Sequence, residues 1–237
     1  MIIPSIKSLF RPRFAYKDGF SIICVYNNRD KLDHFLLKSL EGQSATFEFI
    51  GIDNQAGKFA SAPQVLNEAA KGAKFDHLMF VHQDVALSSS DWLADVQNTL
   101  KQVRRYGAVG VAGAAGSGVH ASVSHGVPPQ PASKRRLKRP KAVQTLDGCL
   151  MIVPKSIFAE QGFDEETCRG WYLYVADYCL DLDRRGLKVY VLPHGIYHEG
   201  TGPSSDPSVY ESARRALLMK HREHVRKVYM TIGVWET

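Results

Sequence analysis

A histidine and an aspartate two positions apart, His82 and Asp84, follow directly on the apolar run Leu78-Met79-Phe80-Val81. An imidazole nitrogen and a carboxylate oxygen delivered together can ligate a divalent cation and, through it, a phosphate. Four apolar residues in a row, with an aromatic and a β-branched residue among them, predict a strand buried on both faces. Its polar end, His82-Gln83-Asp84, must therefore emerge at the edge of a sheet. The carboxyl ends of strands in an open α/β sheet are where ligands bind. Taken alone, the run reads equally well as a loop histidine and an aspartate capping the next helix. The rest of the chain has to decide.

The elements around that run alternate. Phe20 to Tyr26 predicts a first core strand, broken by Asn27-Asn28-Arg29-Asp30. Leu32, Phe35, Leu36, Leu37 and Leu40 then follow at helical spacing up to Gly42. Phe47 to Ile52 predicts a second strand ending in Asp53 and Asn54, and residues 64–74 a second helix. Strand, helix, strand, helix, strand is the signature of a mostly parallel, doubly wound sheet flanked by helices. Beyond it, Asp91 predicts the cap of a helix reaching about Arg105, and residues 107–112 a fourth strand. Residues 113–141 are rich in Gly, Ser, His and Pro and lack periodicity, which makes them a functional flap or a disordered insert. Residues 143–153 predict a strand interrupted by Asp147 and Gly148, where a glycine signals a bulge or a close approach by ligand or backbone. A short helix from Pro154, a helix over Trp171–Arg185 closing at Gly186, a strand over 187–192, a polar segment carrying His198 and a last helix to about Tyr229 complete the chain.

Composition narrows the function. With 237 residues, 44% of them hydrophobic, the chain suits one large domain. Its four cysteines (Cys24, Cys149, Cys168, Cys179) have no CxxC spacing, which suggests reduced thiols in a cytoplasmic protein rather than a disulfide frame or zinc site. No apolar stretch approaches membrane-spanning length. The first residues, MIIPSIKSLFRPRF, lack the core and cleavage site of a signal peptide, though they could touch a membrane surface. The net charge of +6 is local: without Lys134, Arg135, Arg136, Lys138, Arg139 and Lys141, 24 basic residues face 24 acidic ones. That points to an anion contact or a solvated loop rather than a nucleic-acid coat. The turn after the first strand has no glycine, which excludes a dinucleotide fingerprint, and no P-loop occurs anywhere. A nucleotide would have to be held by side chains such as Asp53.

Taken in order, FSIICVYNNR, Ile52-Asp53-Asn54, FVHQDV, LDGCLMIV, GFDE, Ala176-Asp177-Tyr178-Cys179-Leu180 and His198 resemble the inverting family 2 glycosyltransferases of the GT-A fold, specifically a short, soluble bacterial subgroup. The match covers roughly Phe20 to Gly202. The resemblance implies a single GT-A domain over 1–237, with a nucleotide-binding half (20–112), a flexible basic loop (113–142), an acceptor and metal half (143–202) and a C-terminal helix (206–229). It implies a nucleoside-diphosphate sugar donor of UDP or GDP type near Tyr26, Asn28, Asp53, His82 and Asp84. Mn2+ or Mg2+ would sit on Asp84 in the DxD-like triplet, with His198 as second ligand, and Asp177 would be the general base. His82 departs from the common pattern and would bind metal, touch ribose or do neither; Ala176 stands where a glutamate is usual. Asp147, Gly148 and Trp171 would line the pocket of a glycan or lipid-linked acceptor. The implied enzyme is cytoplasmic, with a peripheral contact at the inner face of the membrane.

The chemistry is consistent with these roles. A hard cation offsets the charge that develops on a diphosphate leaving group, and a carboxylate takes the proton of the attacking hydroxyl. One Asp and one His accept either ion, the imidazole tilting the site towards Mn2+. The departures at His82 and Ala176 also suit a non-catalytic nucleotide-sugar-binding or scaffolding protein of the same fold. Nucleic-acid binding ranks last, because the basic run has no aromatic residue on which a base could stack.

Overall fold

The computed structural model describes residues 17–103, 105–133, 135–200 and 207–237. The N-terminal stretch, Arg104, Lys134 and residues 201–206 lie outside them. A seven-stranded sheet forms the centre, in the spatial order Lys141–Val143, Lys188–Val191, Tyr106–Gly110, Leu150–Pro154, His77–Val81, Phe20–Tyr26, Phe47–Asp53. Phe20–Tyr26 pairs in parallel with both Phe47–Asp53 and His77–Val81, so the first three strands form the expected wound half. The sheet as a whole is mixed rather than mostly parallel. Leu150–Pro154 runs antiparallel between His77–Val81 and Tyr106–Gly110, and Lys141–Val143 is antiparallel at the edge. Tyr106–Gly110 and Lys188–Val191 pair in parallel.

Alternate residues of each strand point to opposite faces, and two apolar clusters result. Ile23, Leu78, Phe80, Met151 and Val153 face the helices Ala62–Lys71 and Tyr174–Arg184. Phe20, Ile22, Cys24, Met79, Val81 and Ile152 face Leu32, Leu36 and Leu40 on one side and Trp92, Leu93 and Val96 on the other. The first of these helical segments runs from Arg29–Lys31 through a π-helical stretch, Leu32–Leu37, into Lys38–Leu40. The second, Trp92–Leu100, stops short of Arg105. Asp91 does not cap it by side chain; its carboxylate accepts from Ser44 Oγ at 2.8 Å.

Three expectations need correction. Residues 113–142 are not one irregular loop. Ala112–Ala115 and Gly118–Ala121 pair as a hairpin, Val123–His125 pairs with both Ile196–His198 and Gln130–Pro131, and Lys141–Val143 joins the main sheet. Strands this short, with partners far away in sequence, leave no periodicity to read. The last helix, Pro207–His221, ends eight residues early and gives way to a hairpin, Lys227–Met230 with Gly233–Glu236. Val228 and Met230 are buried while Lys227 is exposed, a period of two rather than 3.6. The helix expected from Trp171 starts at Tyr174, because Gly170 and Leu173 take φ of 93° and 64°. That left-handed turn, strained at leucine, leaves Trp171 37% exposed rather than in the core.

Candidate active site

His77–Val81 does what its sequence predicts: Leu78 to Val81 are buried and the polar triplet emerges at the carboxyl edge. Gln83 fixes that edge to the end of the first strand. Its Oε1 accepts from Asn27 N at 3.0 Å and Asn28 N at 2.9 Å, and its Nε2 donates to Asn27 Oδ1 at 2.7 Å. The carboxamide of this unassuming middle residue thus satisfies two backbone donors of the turn that has no glycine.

Asp84 meets His198 through strand pairing. Ile196–His198 runs antiparallel to Val85–Leu87 with His198 opposite Val85, and Glu199 N donates to Asp84 O at 3.1 Å. His198 Nε2 lies 3.4 Å from Asp84 Oδ1, and Asp84 Oδ2 accepts from Gly200 N at 3.1 Å. Ligand atoms of His82, Asp84 and His198 all lie within 4.8 Å of one another. Burial alone would raise the Asp84 carboxyl, but the His198 hydrogen bond and the nearby His198 and His82 rings outweigh it and hold its pKa at about 2. His82 opens onto the cleft, yet crowding by the surrounding protein and repulsion from His198 push its imidazole below the ordinary value. The neutral ring so favoured is the form that ligates metals. His125 Nδ1 donates to the His198 backbone carbonyl at 2.7 Å, which ties its strand to the one that carries His198. Two imidazoles and a carboxylate converging at this spacing fit a divalent cation.

Two cavities meet at this point. One, of about 670 Å³, lies over the carboxyl ends of the first strands, between Tyr26, Asn27, Asn54, Phe59 and Asp84. The other, of about 510 Å³, is bounded by Asp147, Gly148, His198, Tyr210 and the apolar side chains Val119, Val123, Met230 and Ile232. His82, Trp171, Tyr172 and Tyr174 line both. Volumes of this order suit small-molecule ligands.

Most of the residues singled out in the sequence therefore gather here, with three exceptions. Asn28 caps the following helix, its Oδ1 accepting from Lys31 N at 3.0 Å, and its neighbour Asn27 lines the cavity instead. Asp53 stands at the rim, its two oxygens taking the backbone and side-chain N–H of Gln55 at 2.8 and 3.0 Å, which lowers its pKa. Asp177 is not at the cleft. It is 1% exposed, with Oδ1 bonded to His221 Nε2 at 2.7 Å and Oδ2 to Lys220 Nζ at 2.8 Å. Tyr174, Val175 and Ala176 are the residues of its helix that face the second cavity, and the next position is turned about 100° away. A base must come within hydrogen-bond reach of its proton, so Asp177 is corrected from a catalytic to a structural residue. Gly148 borders the second cavity, where an added Cβ would meet only Val175 Cγ2 at 3.9 Å; its role there is room, not relief of a clash. Tyr172, which the sequence offers with Trp171 as a face for a sugar, lines both cavities, whereas His125, Tyr210 and the 230–232 turn were not among the expected site residues and carried no sequence signal.

Among the described residues no helix is long and apolar enough to cross a membrane. No curated protein matches the chain. Among solved structures, it is similar to GalNAc-T7 crystallised with UDP, GalNAc and Mn2+ (12% identity, 85% of this chain and 48% of that one, TM-score 0.56). It is also similar to S. aureus TarS, both as residues 1–349 (14% identity, 85% and 65%, TM-score 0.57) and as a longer chain (14%, 87% and 40%, TM-score 0.59). The chain thus spans between 40% and 65% of the length of these structures, and at such identities they speak for the fold alone. The sequence profile of the glycosyltransferase-like family runs over residues 21–231, from the first strand to the turn that closes the second cavity. That span takes in the His-Asp-His cluster and every residue named as lining the two cavities except Ile232, and the chain belongs to this family, with the GT-A fold.

Proposed function

We propose that the protein is a metal-dependent inverting glycosyltransferase. It moves a sugar from a nucleoside-diphosphate sugar, of UDP or GDP type, to a glycan, surface-polymer or lipid-linked acceptor. The observation that carries this reading is the His82, Asp84 and His198 cluster at the seam of two cavities. In this reading residues 20–112 supply the donor half and residues 143–202 most of the acceptor half. Tyr26, Asn27 and Asn54 border the space for the nucleoside, with Asp53 at its rim. His82, Asp84 and His198 would hold Mn2+ or Mg2+, which supplies charge neutralisation for the diphosphate as it leaves. Trp171 and Tyr172 offer aromatic faces to a sugar at the seam. The apolar wall of Val119, Val123, Met230 and Ile232 suits an acceptor with an apolar portion. Four buried, unpaired cysteines accord with a cytoplasmic setting, and the exposed basic stretch from Arg135 to Lys141 with a peripheral contact at an anionic membrane face.

A panel of UDP- and GDP-sugars, screened by thermal shift with Mn2+, with Mg2+ and with chelator, tests the reading. Stabilisation by at least one donor, lost with chelator, is expected; a flat panel would sink it. Gly200 gives a finer check. An added Cβ there would stand 2.8 Å from Asp84 Oδ2 and 3.2 Å from His198 Nε2. Gly200→Ala is expected to lower Mn2+ affinity about ten- to hundredfold, as outer-shell changes do, with the unfolding midpoint without metal little changed.

The burial of Asp177 favours one other reading, a non-catalytic nucleotide-sugar-binding protein of the same fold. Donor binding without any release of nucleotide or transfer of sugar would select it.

A further inference from the structure

With Asp177 sealed away, the acceptor side of the site lacks the carboxylate first assigned to it. Because the two cavities share His82, Trp171, Tyr172 and Tyr174, a donor in the first would present its anomeric carbon at that seam. Asp147 is the carboxylate among the described residues that lines the second cavity. Strand pairing brings it there. Leu150–Pro154 lies antiparallel to His77–Val81, and the ladder continues beyond Leu150 with His82 N donating to Cys149 O at 2.9 Å. Asp147 therefore sits beside the end of the polar triplet, and its own N–H donates to Ala112 O at 2.9 Å. Its carboxylate is aimed by two donors on different elements. Cys149 N reaches Oδ1 at 3.0 Å, and Thr231 Oγ1, from the C-terminal hairpin, reaches Oδ2 at 3.0 Å. Each oxygen keeps accepting capacity after those bonds.

We propose that Asp147 is the catalytic base of the transfer, an inference that rests on the glycosyltransferase reading above. The acceptor oxygen attacks the anomeric carbon from the side opposite the diphosphate. As the new C–O bond forms, the bond from that carbon to the diphosphate oxygen breaks and its electron pair leaves with the nucleotide. The acceptor's O–H proton passes to the Asp147 carboxylate. Water can take the acceptor's place with the same balance, giving free sugar and nucleoside diphosphate. His125 is the rival base in this cavity: its Nδ1 donates to the His198 carbonyl and its Nε2 keeps a lone pair, so the His125→Gln arm below decides between the two. Thr231 is a positioning residue, acting through Asp147.

Asp147→Asn retains an oxygen for Cys149 N and a group for Thr231, so it separates the base from the fold. The test uses whichever UDP- or GDP-sugar binds the wild type in Mn2+, and reads donor affinity by calorimetry and nucleotide release with water as acceptor. Asp147→Asn is expected to cut release at least about a hundredfold, the lower end for loss of a general base. Donor Kd should stay within about twofold, since a group acting in the transition state alone leaves ground-state binding in place. Thr231→Val reads the same carboxylate without altering its charge, and should lower release about tenfold at unchanged donor Kd. Release within about fivefold of wild type in Asp147→Asn, or a hundredfold loss in His125→Gln alone, would overturn the assignment. A wild type that binds no donor would instead bring down the glycosyltransferase reading, and the base with it.

Discussion

Asp84→Ala is expected to abolish donor binding that depends on the cation and to lower turnover by about a hundred- to a thousandfold, the usual scale for losing one electrostatic stabiliser of a leaving group. In the wild type a donor at a hundredfold excess over its Kd should add about 2.7 kcal/mol of stability in Mn2+. For a chain of this size that is a rise in Tm of roughly 5–10 °C. The rise should vanish in the variant. The fold should persist, because Asp84 lies half-buried at the sheet edge and, among the described residues, its carboxylate partners are the Gly200 N–H and His198. Asp53→Ala is the useful comparison. Its side chain stands at the rim and bonds Gln55, so it should weaken donor binding while leaving dependence on the cation intact. A Mn2+-dependent Tm rise that survives Asp84→Ala would place the cation elsewhere and remove the mechanism.

Why the place of Asp84 at the sheet edge was legible and the burial of Asp177 was not comes down to what local sequence encodes. Phe20–Tyr26, Phe47–Asp53 and His77–Val81 announce themselves because buried parallel strands are unbroken apolar runs, and their polar ends must then fall at one edge. Which edge residues meet is a matter of long-range pairing. His198 reaches Asp84 by a ladder spanning more than a hundred residues, and Asp147 reaches His82 through an antiparallel strand that the wound pattern did not anticipate. The family pattern marked the right helix for Asp177. Its orientation, however, is decided by Lys220 and His221, over forty residues further on, and a rotation of about 100° separates Ala176 in the cleft from Asp177 in the core. Residues 113–142 failed for a related reason, since strands of two to four residues are stabilised by their partners rather than by their own sequence.

Lys220→Met should destabilise the fold by about 3–5 kcal/mol, the cost of leaving buried carboxylates without their cation. Lys220 Nζ lies 2.8 Å from Asp177 Oδ2, 2.7 Å from Asp181 Oδ2 and 3.0 Å from Asp164 Oδ2. Asp177 and Asp181 are one helical turn apart and both buried, so without the ammonium they repel each other where water cannot screen them. Lys71→Met, at an exposed pair with Glu68, should leave the urea midpoint nearly unchanged. The pH dependence carries the same information. Burial would lower the Lys220 pKa, but its bonds to Asp177, Asp181 and Asp164 raise it above the ordinary lysine value. Its contribution is thus complete below the unfolded pKa of about 10.4 and is lost as pH climbs through the higher folded value. Burial works to raise Asp164, but the Thr167 hydroxyl, the Glu166 and Thr167 N–H groups and Lys220 together lower it. Its contribution is present above about pH 3.9 and is lost as pH falls through the folded value. Urea midpoints across pH should show both limbs in the wild type, with the alkaline one weakened in Lys220→Met and the remainder supplied by the buried Tyr106, Tyr174 and Tyr178 phenols, whose pKa values burial also raises. The same helix carries Tyr210, whose ring centroid lies 5.9 Å from that of Tyr172, and leads into the hairpin that supplies Met230, Thr231 and Ile232 to the second cavity. Loosening it should therefore disturb the acceptor side before the donor side, raising the KM for acceptor at unchanged donor Kd under conditions where the variant is still folded. A loss of less than about 1 kcal/mol would mean that the C-terminal helix is held by its apolar contacts through Ala213 and Leu217, and that the ion network contributes little.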